Sequence, residues 1–272
     1  MKKIHILTEE KLQQLIEEQS RQIEEEKNRK LQEEVIEKEA LLSSLQSQIN
    51  PHFLYNALEG IRGQAILEGS TVIADIARAL AGFFRYSISA RENIATLHEE
   101  LKNMQDYLKI QQFRFGNRFH VDIEYEEEDD EVMQTILPKM TLQPIIENAI
   151  AHGFERTTKD AVIITKIIRT EKNVNITVSD NGIGMDSATL TQLNEKIRNQ
   201  DTEQNKGGSH NGIAMPNVNR RLQLLFGEEY GIHISSIEGM GTDVEIHIPF
   251  LTERKNLNYR SKIYEKRNFK NF

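Results

Sequence analysis

The sequence predicts an α+β protein in which a long helical region precedes an α/β sandwich. Between residues 10 and 115 the apolar residues recur at three- and four-residue spacings, which is the period of an α-helix. From residue 119 onward, short segments of alternating apolar and polar residues, typical of strands, are interleaved with helical segments. Strands that bury one face beneath helices form a layered sandwich.

Composition and charge narrow the class of protein. The chain has 272 residues, of which 38% are hydrophobic, and a formal net charge of −8. This negative balance argues against a nucleic-acid binder, which usually presents a basic surface. The sequence contains no cysteine, which excludes disulfides and thiolate metal sites. No apolar run reaches the roughly 18–20 residues of a membrane span, and no signal peptide is recognised.

A coiled coil is predicted between residues 10 and 49, a segment without proline or glycine. Its seam follows alternating steps of four and three residues, with a stutter at Lys27 that locally unwinds a supercoil. The seam residues are Leu12, Ile16, Gln19, Ile23, Leu31, Val35, Lys38, Leu42, Leu45 and Ile49. We interpret the segment as a parallel dimer. A single solvated helix is the alternative, because residues 24–30 offer almost no apolar area.

Three more helices are predicted before residue 117. Pro51 lacks an N–H and clashes with the preceding turn, so the long helix should kink or restart there. Helical periodicity resumes at His52, turns at Gly69-Ser70 and continues from about Thr71 to Ser87. The capping-box sequence Thr96 to Glu99 begins the third helix. In a dimer, the first two helices would form a four-helix bundle.

The sandwich is predicted from five strands and three helices. The strands cover residues 119–125, 161–168, 173–180, 232–237 and 242–248, and the helices cover residues 138–153, 188–198 and 215–225. Pro144 is tolerable because it falls in a first turn begun near Thr141. Residues 199–211 contain no apolar side chain, which predicts a mobile loop long enough to be a lid.

Two charged segments are expected to be solvated. Residues 126–131 are six consecutive acids, for which a solvated loop is the expectation. Residues 251–272 carry seven Lys/Arg and two Glu and show little periodicity, so we predict a disordered or weakly helical tail. Contact of this tail with an acidic surface or a membrane is the alternative.

Asp180 is the first candidate for chemistry. Alternation puts it on the same strand face as Val174, Ile176 and Val178, so its carboxylate should lie at the edge of a core. An unpaired buried charge is costly, and a ligand donor such as the exocyclic amine of adenine would remove that cost. The alternative is a plain Asp-Asn-Gly turn. The glycines in Gly182–Met185 favour a ligand, since they let backbone approach a flat ring or a phosphate.

Other polar groups are candidates for the same site. Asn148 and His152 are four residues apart on one helix face, where an amide oxygen suits Mg²⁺ and an imidazole suits phosphate; an exposed polar face is the alternative. Gly212 opens a helix whose free N–H groups would bind phosphate. Thr242 shares a strand face with Val244, Ile246 and Ile248 and could therefore reach the same pocket edge as Asp180.

The segments that carry these candidate residues resemble, in their order along the chain, the GHKL (Bergerat) ATP-binding fold. More narrowly, the chain from about Leu42 to Phe250 resembles the LytS/YesM-like sensor histidine kinases. Gln48–Asn56 resembles that family's phosphoacceptor box and Leu142–Gly153 its asparagine box. Asp180–Gly184 resembles its first glycine box and Gly212–Leu222 its second.

The resemblance implies a two-component histidine kinase that uses ATP and Mg²⁺. His52 would accept a phosphoryl group on a ring nitrogen and pass it to an aspartate of a response-regulator receiver domain. Asn56, one turn later, would help to dephosphorylate that partner. Asn148 would hold Mg²⁺ and Asp180 would bind adenine. The other residues implied in ATP binding are His152, Gly182, Gly184, Met185, Gly212, Asn217 and Thr242.

The implied domains are a coiled-coil signalling helix at 1–42, a helical dimerisation and phosphotransfer domain at 43–116, an ATP-binding catalytic domain at 117–250 and a basic tail at 251–272. We expect a cytoplasmic homodimer that meets a membrane only through segments upstream of Met1.

The sequence departs from the family pattern at two places. Ala214 and Met215 replace the usual glycine and leucine of the second glycine box, so we expect the added methyl group to alter the lid hinge. No acidic residue follows His52 directly, which leaves Glu59 and Glu147 as candidate bases.

Two other functions share parts of this pattern. GHKL ATPases carry a water-activating glutamate four residues before the asparagine, where this chain has Pro144, which cannot act as a base. A pseudo-kinase that binds ATP only to set its conformation is the second alternative, motivated by Ala214. A purely structural coiled-coil protein would explain only residues 10–49.

Overall fold

The computed structural model describes six segments of the chain, residues 51–88, 93–116, 119–126, 130–154, 161–199 and 214–253. The predicted coiled coil at residues 10–49 lies outside these residues. Almost all of the predicted lid and of the predicted basic tail also lies outside them.

Two helices begin the described part of the chain. Helix α1 spans Pro51–Leu67 and helix α2 spans Thr71–Ile88, joined by a turn in which Gly69 has φ 71. Small side chains let the two helices approach closely, and Ala65 and Ala77 are buried between them. The predicted helical pair is therefore confirmed, with bounds within two residues of those expected.

A third helix packs against α2. Helix α3 spans Leu97–Phe115 and follows strand β1, Ile94–Thr96. Thr96 is its N-cap, and both hydrogen bonds of the predicted capping box with Glu99 are present. The helix ends at Gly116, whose φ is 72. Its inner face carries the buried Leu97, Leu101, Met104 and Leu108, at the spacing that predicted the helix.

Six further strands complete two sheets. They are β2 Phe119–Glu124, β3 Ile136–Pro138, β4 Ala161–Arg169, β5 Asn173–Asp180, β6 Gly231–Ile237 and β7 Gly241–Pro249. The main sheet has the order β2-β4-β5-β7-β6; β2 pairs with β4 in parallel and all other pairs are antiparallel. Strands β1 and β3 form a separate antiparallel pair that periodicity did not predict, since each has only three residues.

Three helices cover one face of the main sheet. They are α4 Gln143–Asn148, continued by a π-helical turn at Ala149–Phe154, α5 Ser187–Asn199 and α6 Ala214–Phe226. Their buried side chains pack against the inner face of the strands, and this core includes Ile145, Ile146, Ile163, Ile176, Leu222, Leu225, Val244 and Ile246. The predicted α/β sandwich behind a helical region is confirmed.

The predicted start of the helix at residues 138–153 was wrong. Pro138 ends β3, and Met140 has φ 61, a left-handed conformation that no α-helix contains. The helix begins only at Gln143, with Pro144 in its first turn as expected. After Asn148 the backbone is π-helical, so residues five apart rather than four apart are bonded.

Among the described residues, no helix combines the length and apolarity that crossing a membrane would require.

Candidate functional site

A cavity of about 370 Å³ lies between the inner face of the sheet and helices α4, α5 and α6. Its walls are mostly apolar, with a few polar groups, which is the usual character of a small-molecule site. The lining residues are Ile145, Asn148, Ala149, Val178, Asp180, Ile183, Gly184, Met185, Thr189, Gln192, Leu193, Lys196, Met215, Ile234, Thr242 and Val244.

Asp180 lies where β5 reaches this cavity. It pairs with Thr242 of β7, so both candidate residues meet at one edge of the sheet as alternation predicted. Its side chain shares the inner face of β5 with the buried Ile176 and Val178. Its Oδ1 accepts a hydrogen bond from the backbone N–H of Gly182 at 2.8 Å, and the Thr242 amide donates another.

The charge of Asp180 is incompletely compensated. Burial raises the pKa of its carboxyl above the ordinary value of 3.8, and the nearby Asp243 adds to the rise, while the amide donors of Gly182 and Thr242 oppose it. A carboxyl group whose pKa is shifted in an apolar cavity is typical of a functional site. A ligand that brought an N–H group to Asp180 would stabilise the ionised form.

The loop after β5 is pressed against the hairpin of β6 and β7. Gly184 has φ 66, and a Cβ atom there would collide with the carbonyl oxygen of Ile237. Ser236 holds the loop in place: its Oγ accepts the Met185 N–H at 2.8 Å and donates to the Gly241 carbonyl at 2.7 Å. Gly184 and Met185 therefore line the cavity, and sequence reasoning did not foresee the role of Ser236.

Two glycines bring the backbone close to Asp180. Gly241 has φ 127, and a Cβ atom there would collide with the Asp180 carbonyl oxygen. Gly182 is buried beside the Asp180 carboxylate but is not one of the lining residues. The first glycine segment thus shapes the cavity through its backbone.

Asn148 forms part of the opposite wall. It is half-buried at the end of α4, while Ile145 and Ile146 of the same helix are buried in the core as predicted. The structure therefore brings Asn148, Asp180, Thr242, Gly184 and Met185 together around one cavity. The side chain of His152 lies outside what the structure describes, so its predicted role stays a prediction.

The second glycine segment is only partly described. Gly212 lies outside the described residues, and Asn217 is exposed on α6 and does not line the cavity. Met215 is buried and contributes an apolar wall. The predicted ATP-binding roles of Gly212 and Asn217 stay predictions.

Helix α5 supplies four lining residues that sequence reasoning missed. Thr189, Gln192, Leu193 and Lys196 line the cavity from one face of the helix. Their spacing of three, four and seven residues is the signal that could have found them. Lys196 is exposed and adds a positive charge to the cavity wall.

A second group of candidates lies on α1. His52 and Asn56 are exposed one turn apart, and the Asn56 amide nitrogen lies 3.3 Å from Nδ1 of His52. The candidate base Glu59 is exposed and pairs with Arg62 at 2.9 Å. The other, Glu147, is half-buried on α4, where it accepts a hydrogen bond from Nε2 of Gln143 at 2.7 Å.

Two family models match this architecture in the same order. Residues 40–119 match the histidine kinase family, and residues 134–252 match the family of histidine kinase-, DNA gyrase B- and HSP90-like ATPases. The first match includes His52 and Asn56, and the second includes every residue that lines the cavity. The fold and the site therefore define a protein with a histidine kinase region and a GHKL ATP-binding domain.

Curated relatives narrow the class further. The sensor histidine kinase YesM of Bacillus subtilis is 39% identical over 80% of this chain, and the sensor protein LytS of Oceanobacillus iheyensis is 36% identical over 80%. The sensor histidine kinase YpdA of Escherichia coli is 32% identical over 78%. The chain belongs to the LytS/YesM family of sensor histidine kinases. It spans about a third of the length of these relatives.

Among solved structures, the histidine kinase domain of the blue-light activated kinase EL346 of Erythrobacter litoralis is similar at a TM-score of 0.39. It is 15% identical in sequence, and the similarity covers 80% of this chain and 94% of that one. The family assignment therefore rests on the sequence matches.

Proposed function

We propose that this protein binds ATP in the cavity at Asp180 and transfers its γ-phosphoryl group to His52. The observation that carries the proposal is the half-buried Asp180 carboxylate on the wall of an apolar cavity that Asn148 also lines. Apolar walls fit a flat purine ring, and the exocyclic amine of adenine would add an N–H donor to the two backbone amides that already bond Asp180.

Asn148 is proposed to hold Mg²⁺. Its amide oxygen is a hard ligand of the kind that Mg²⁺ prefers, and Mg²⁺ usually keeps several waters and takes further ligands from phosphates. In the part of the chain that the structure describes, no cluster of three His, Asp or Glu side chains is placed to hold a metal ion. One protein ligand with phosphate and water ligands fits this donor set. The bound ion would offset negative charge on the phosphates.

His52 is proposed as the nucleophile. A ring nitrogen of the neutral imidazole forms a bond to the γ-phosphorus as the bond from that phosphorus to the bridging oxygen of ADP breaks. The electron pair leaves with ADP. The exposed position of His52 on α1 suits this role, since the ring must meet a phosphate held elsewhere. Glu147 and Glu59 remain the candidate bases for a proton released from the ring.

The phosphoryl group is then proposed to pass to an aspartate of a response-regulator receiver domain, and the active form is proposed to be a homodimer. Helices α1 and α2 expose a set of large apolar side chains, which supports pairing with a second copy. They are Phe53, Ile61, Ile66, Leu67, Val72 and Ile73. Because the donor is ATP, the reaction is proposed to take place in the cytoplasm.

One alternative is steady ATP hydrolysis. Pro144 occupies the first turn of α4 at the position where GHKL ATPases carry their water-activating glutamate. A proline has no group that could activate water, which favours phosphoryl transfer to a side chain. The other alternative, a pseudo-kinase, is motivated by Ala214, the first residue of α6.

Labelling with γ-labelled ATP and Mg²⁺ separates the three functions. The kinase proposal predicts protein-bound label that is acid-labile and alkali-stable, the signature of a phosphoramidate, and that His52→Gln abolishes. Label that persists in His52→Gln would contradict it. Steady phosphate release without labelled protein would favour the ATPase, and nucleotide binding with neither label nor phosphate release would favour the pseudo-kinase.

A further inference from the structure

The segment of residues 139–142 joins strand β3 to helix α4, which carries Asn148. Within the described ranges, Met140 is the only residue other than glycine with a positive φ, at 61°. Leu142 is the N-cap of α4, yet its side chain has no group that could cap the helix. A backbone in this conformation persists only when its surroundings hold it.

Glu100 of α3 holds the segment from its N–H side. The carboxylate is 1% exposed. Its Oε1 accepts the Met140 N–H at 2.5 Å, and its Oε2 accepts the N–H groups of Thr141 and Leu142 at 2.8 Å each. A distant side chain thus performs the capping that Leu142 cannot.

Glu100 also accepts a hydrogen bond from helix α2. The Tyr86 hydroxyl of α2 donates to Oε1, so each carboxylate oxygen accepts two hydrogen bonds. Burial raises the pKa of the Glu100 carboxyl against these donors, and burial next to this carboxyl raises the pKa of the Tyr86 phenol. With four donors directed at two oxygens, the arrangement is that of a carboxylate facing a neutral phenol.

Arg221 of α6 holds the same segment from its carbonyl side. Its Nη1 donates to the carbonyl of Lys139 and its Nη2 to the carbonyl of Met140, both at 2.7 Å. Met140 is therefore bonded through its N–H to Glu100 and through its carbonyl to Arg221. Helix α6 also lines the cavity through Met215.

A second contact joins helix α3 to the start of helix α4. Asn103, one turn after Glu100 on α3, donates from Nδ2 to Oε1 of Gln143 at 2.9 Å, and Gln143 donates to Glu147 at 2.7 Å. The first residues of α4 are thus hydrogen-bonded to α3 at two places through buried groups.

We propose that Glu100 is a positioning residue that couples helix α2, through Tyr86, to the start of helix α4 and hence to Asn148. This inference rests on the proposed kinase function. Glu100 contacts both elements through a single rigid group, so a shift of α2 that withdraws the Tyr86 hydroxyl leaves Oε1 with one donor and loosens the 139–142 segment. Arg221 connects the segment to α6 in the same way.

Tyr86→Phe in the full chain tests the coupling. It removes one hydroxyl from α2 and leaves in place the three hydrogen bonds that Glu100 accepts from backbone N–H groups, so the fold should be retained. We expect the Kd for ATP to stay within twofold of wild type, while the rate of His52 labelling at saturating ATP falls about tenfold or more, as for loss of a hydrogen bond to a charged group. Tyr230→Phe, which removes the hydroxyl of a ring that stacks on His247, is the matched control and should leave both quantities unchanged.

The outcomes distinguish a failure of the coupling from a failure of the proposed kinase function on which it rests. A wild-type protein that labels at His52, with a Tyr86→Phe rate equal to that of Tyr230→Phe, would overturn the coupling alone. A fall in rate matched by an equal loss of ATP affinity would also overturn it, because it would show general disruption of the cavity. Absence of His52 label in the wild type would overturn the proposed function and the coupling together. Glu100→Gln, where it folds, should slow labelling further than Tyr86→Phe.

Discussion

The Asn56 amide nitrogen lies 3.3 Å from Nδ1 of His52 on the exposed side of helix α1. The amide can present either its nitrogen or its oxygen to the ring, since the two orientations differ by a rotation of the amide group. With the oxygen facing the ring, Nδ1 carries the proton and Nε2 is the basic nitrogen. That orientation therefore favours transfer to Nε2 without being required for it, which makes Asn56 a neighbour of the reaction.

Asn56→Ala should impair dephosphorylation of the partner regulator and largely spare autophosphorylation. An exposed hydrogen bond of this kind contributes only about 0.5 kcal/mol, so we expect the His52 labelling rate to fall no more than about threefold. The same variant should remove the amide that positions water against the partner's phosphoaspartate. Autophosphorylation is measured with γ-labelled ATP and dephosphorylation with labelled regulator, and equal loss of both rates would refute this division of roles.

Asp180→Asn should weaken ATP binding by about tenfold to a hundredfold, the usual cost of losing a hydrogen bond to a charged group. Calorimetric titration with a non-hydrolysable ATP analogue provides the measurement. Asp243→Asn is the matched control, because Asp243 is exposed one residue after Thr242 and affects Asp180 only through its charge. Equal affinity in both variants would contradict the assignment of the cavity.

The affinity for ATP should rise with pH through the raised pKa of Asp180. The folded pKa lies above the ordinary 3.8, so the stability that Asp180 contributes without ligand is present below 3.8 and is lost as pH rises through the folded value. A ligand N–H stabilises the ionised carboxylate, so binding releases a proton in this window. Titrations at several acidic pH values test it, and subtracting the Asp180→Asn curve cancels titration of the nucleotide. If the ATP affinity of Asp180→Asn changed with pH in the same way as that of the wild type, Asp180 would be excluded as the adenine acceptor.

Gly184→Ala should destabilise the fold more than Gly239→Ala does. Both glycines have positive φ, which costs alanine about 1 kcal/mol, but only at Gly184 would the new Cβ collide with backbone, at Ile237. Overpacking adds about 1–3 kcal/mol. Thermal unfolding measures the difference, and ATP affinity should fall only in Gly184→Ala. Equal unfolding free energies for the two variants would show that the contact of Gly184 with the hairpin is not tight in solution.

Ile66→Glu should weaken dimerisation at least about tenfold, as for a central apolar interface residue. Ile66 is 57% exposed on α1, so the change should not disturb the folding of one copy. Sedimentation over a range of concentrations measures the dimer constant. Met240→Glu is the control, since Met240 is 70% exposed but lies in the hairpin of β6 and β7. Identical dimer constants for the two variants would show that α1 does not contribute to the interface.

Regular periodicity was sufficient for most of the fold. The stripe of Met215, Val218, Leu222 and Leu225 predicted α6, and all four side chains are buried. The strand alternation that placed Asp180 on the inner face of β5 was also confirmed. These elements are long and bury one face, so pattern and structure agree.

The errors lie where a single tertiary contact overrides local preference. Glu100 follows two polar residues on α3 and has no feature that distinguishes it from a surface acid, yet it is buried and caps α4. Helix α4 therefore begins at Gln143 rather than at Pro138, because Glu100 and Arg221 hold Met140 in a non-helical conformation. No spacing rule contains such a contact, since the residues lie 40 and 81 positions apart in sequence.

Phosphorylation of His52 by ATP bound at Asp180 can be measured from the mass of one peptide. The protein is incubated with ATP and Mg²⁺, kept at alkaline pH and digested. The mass of the peptide that contains His52 and the masses of its fragments are then measured by tandem mass spectrometry. We expect a single phosphoryl group on the His52 ring in the wild type and an unmodified peptide in Asp180→Asn at limiting ATP. An unmodified His52 peptide in a wild-type protein that binds ATP, or phosphate on any other residue, would contradict the proposed function.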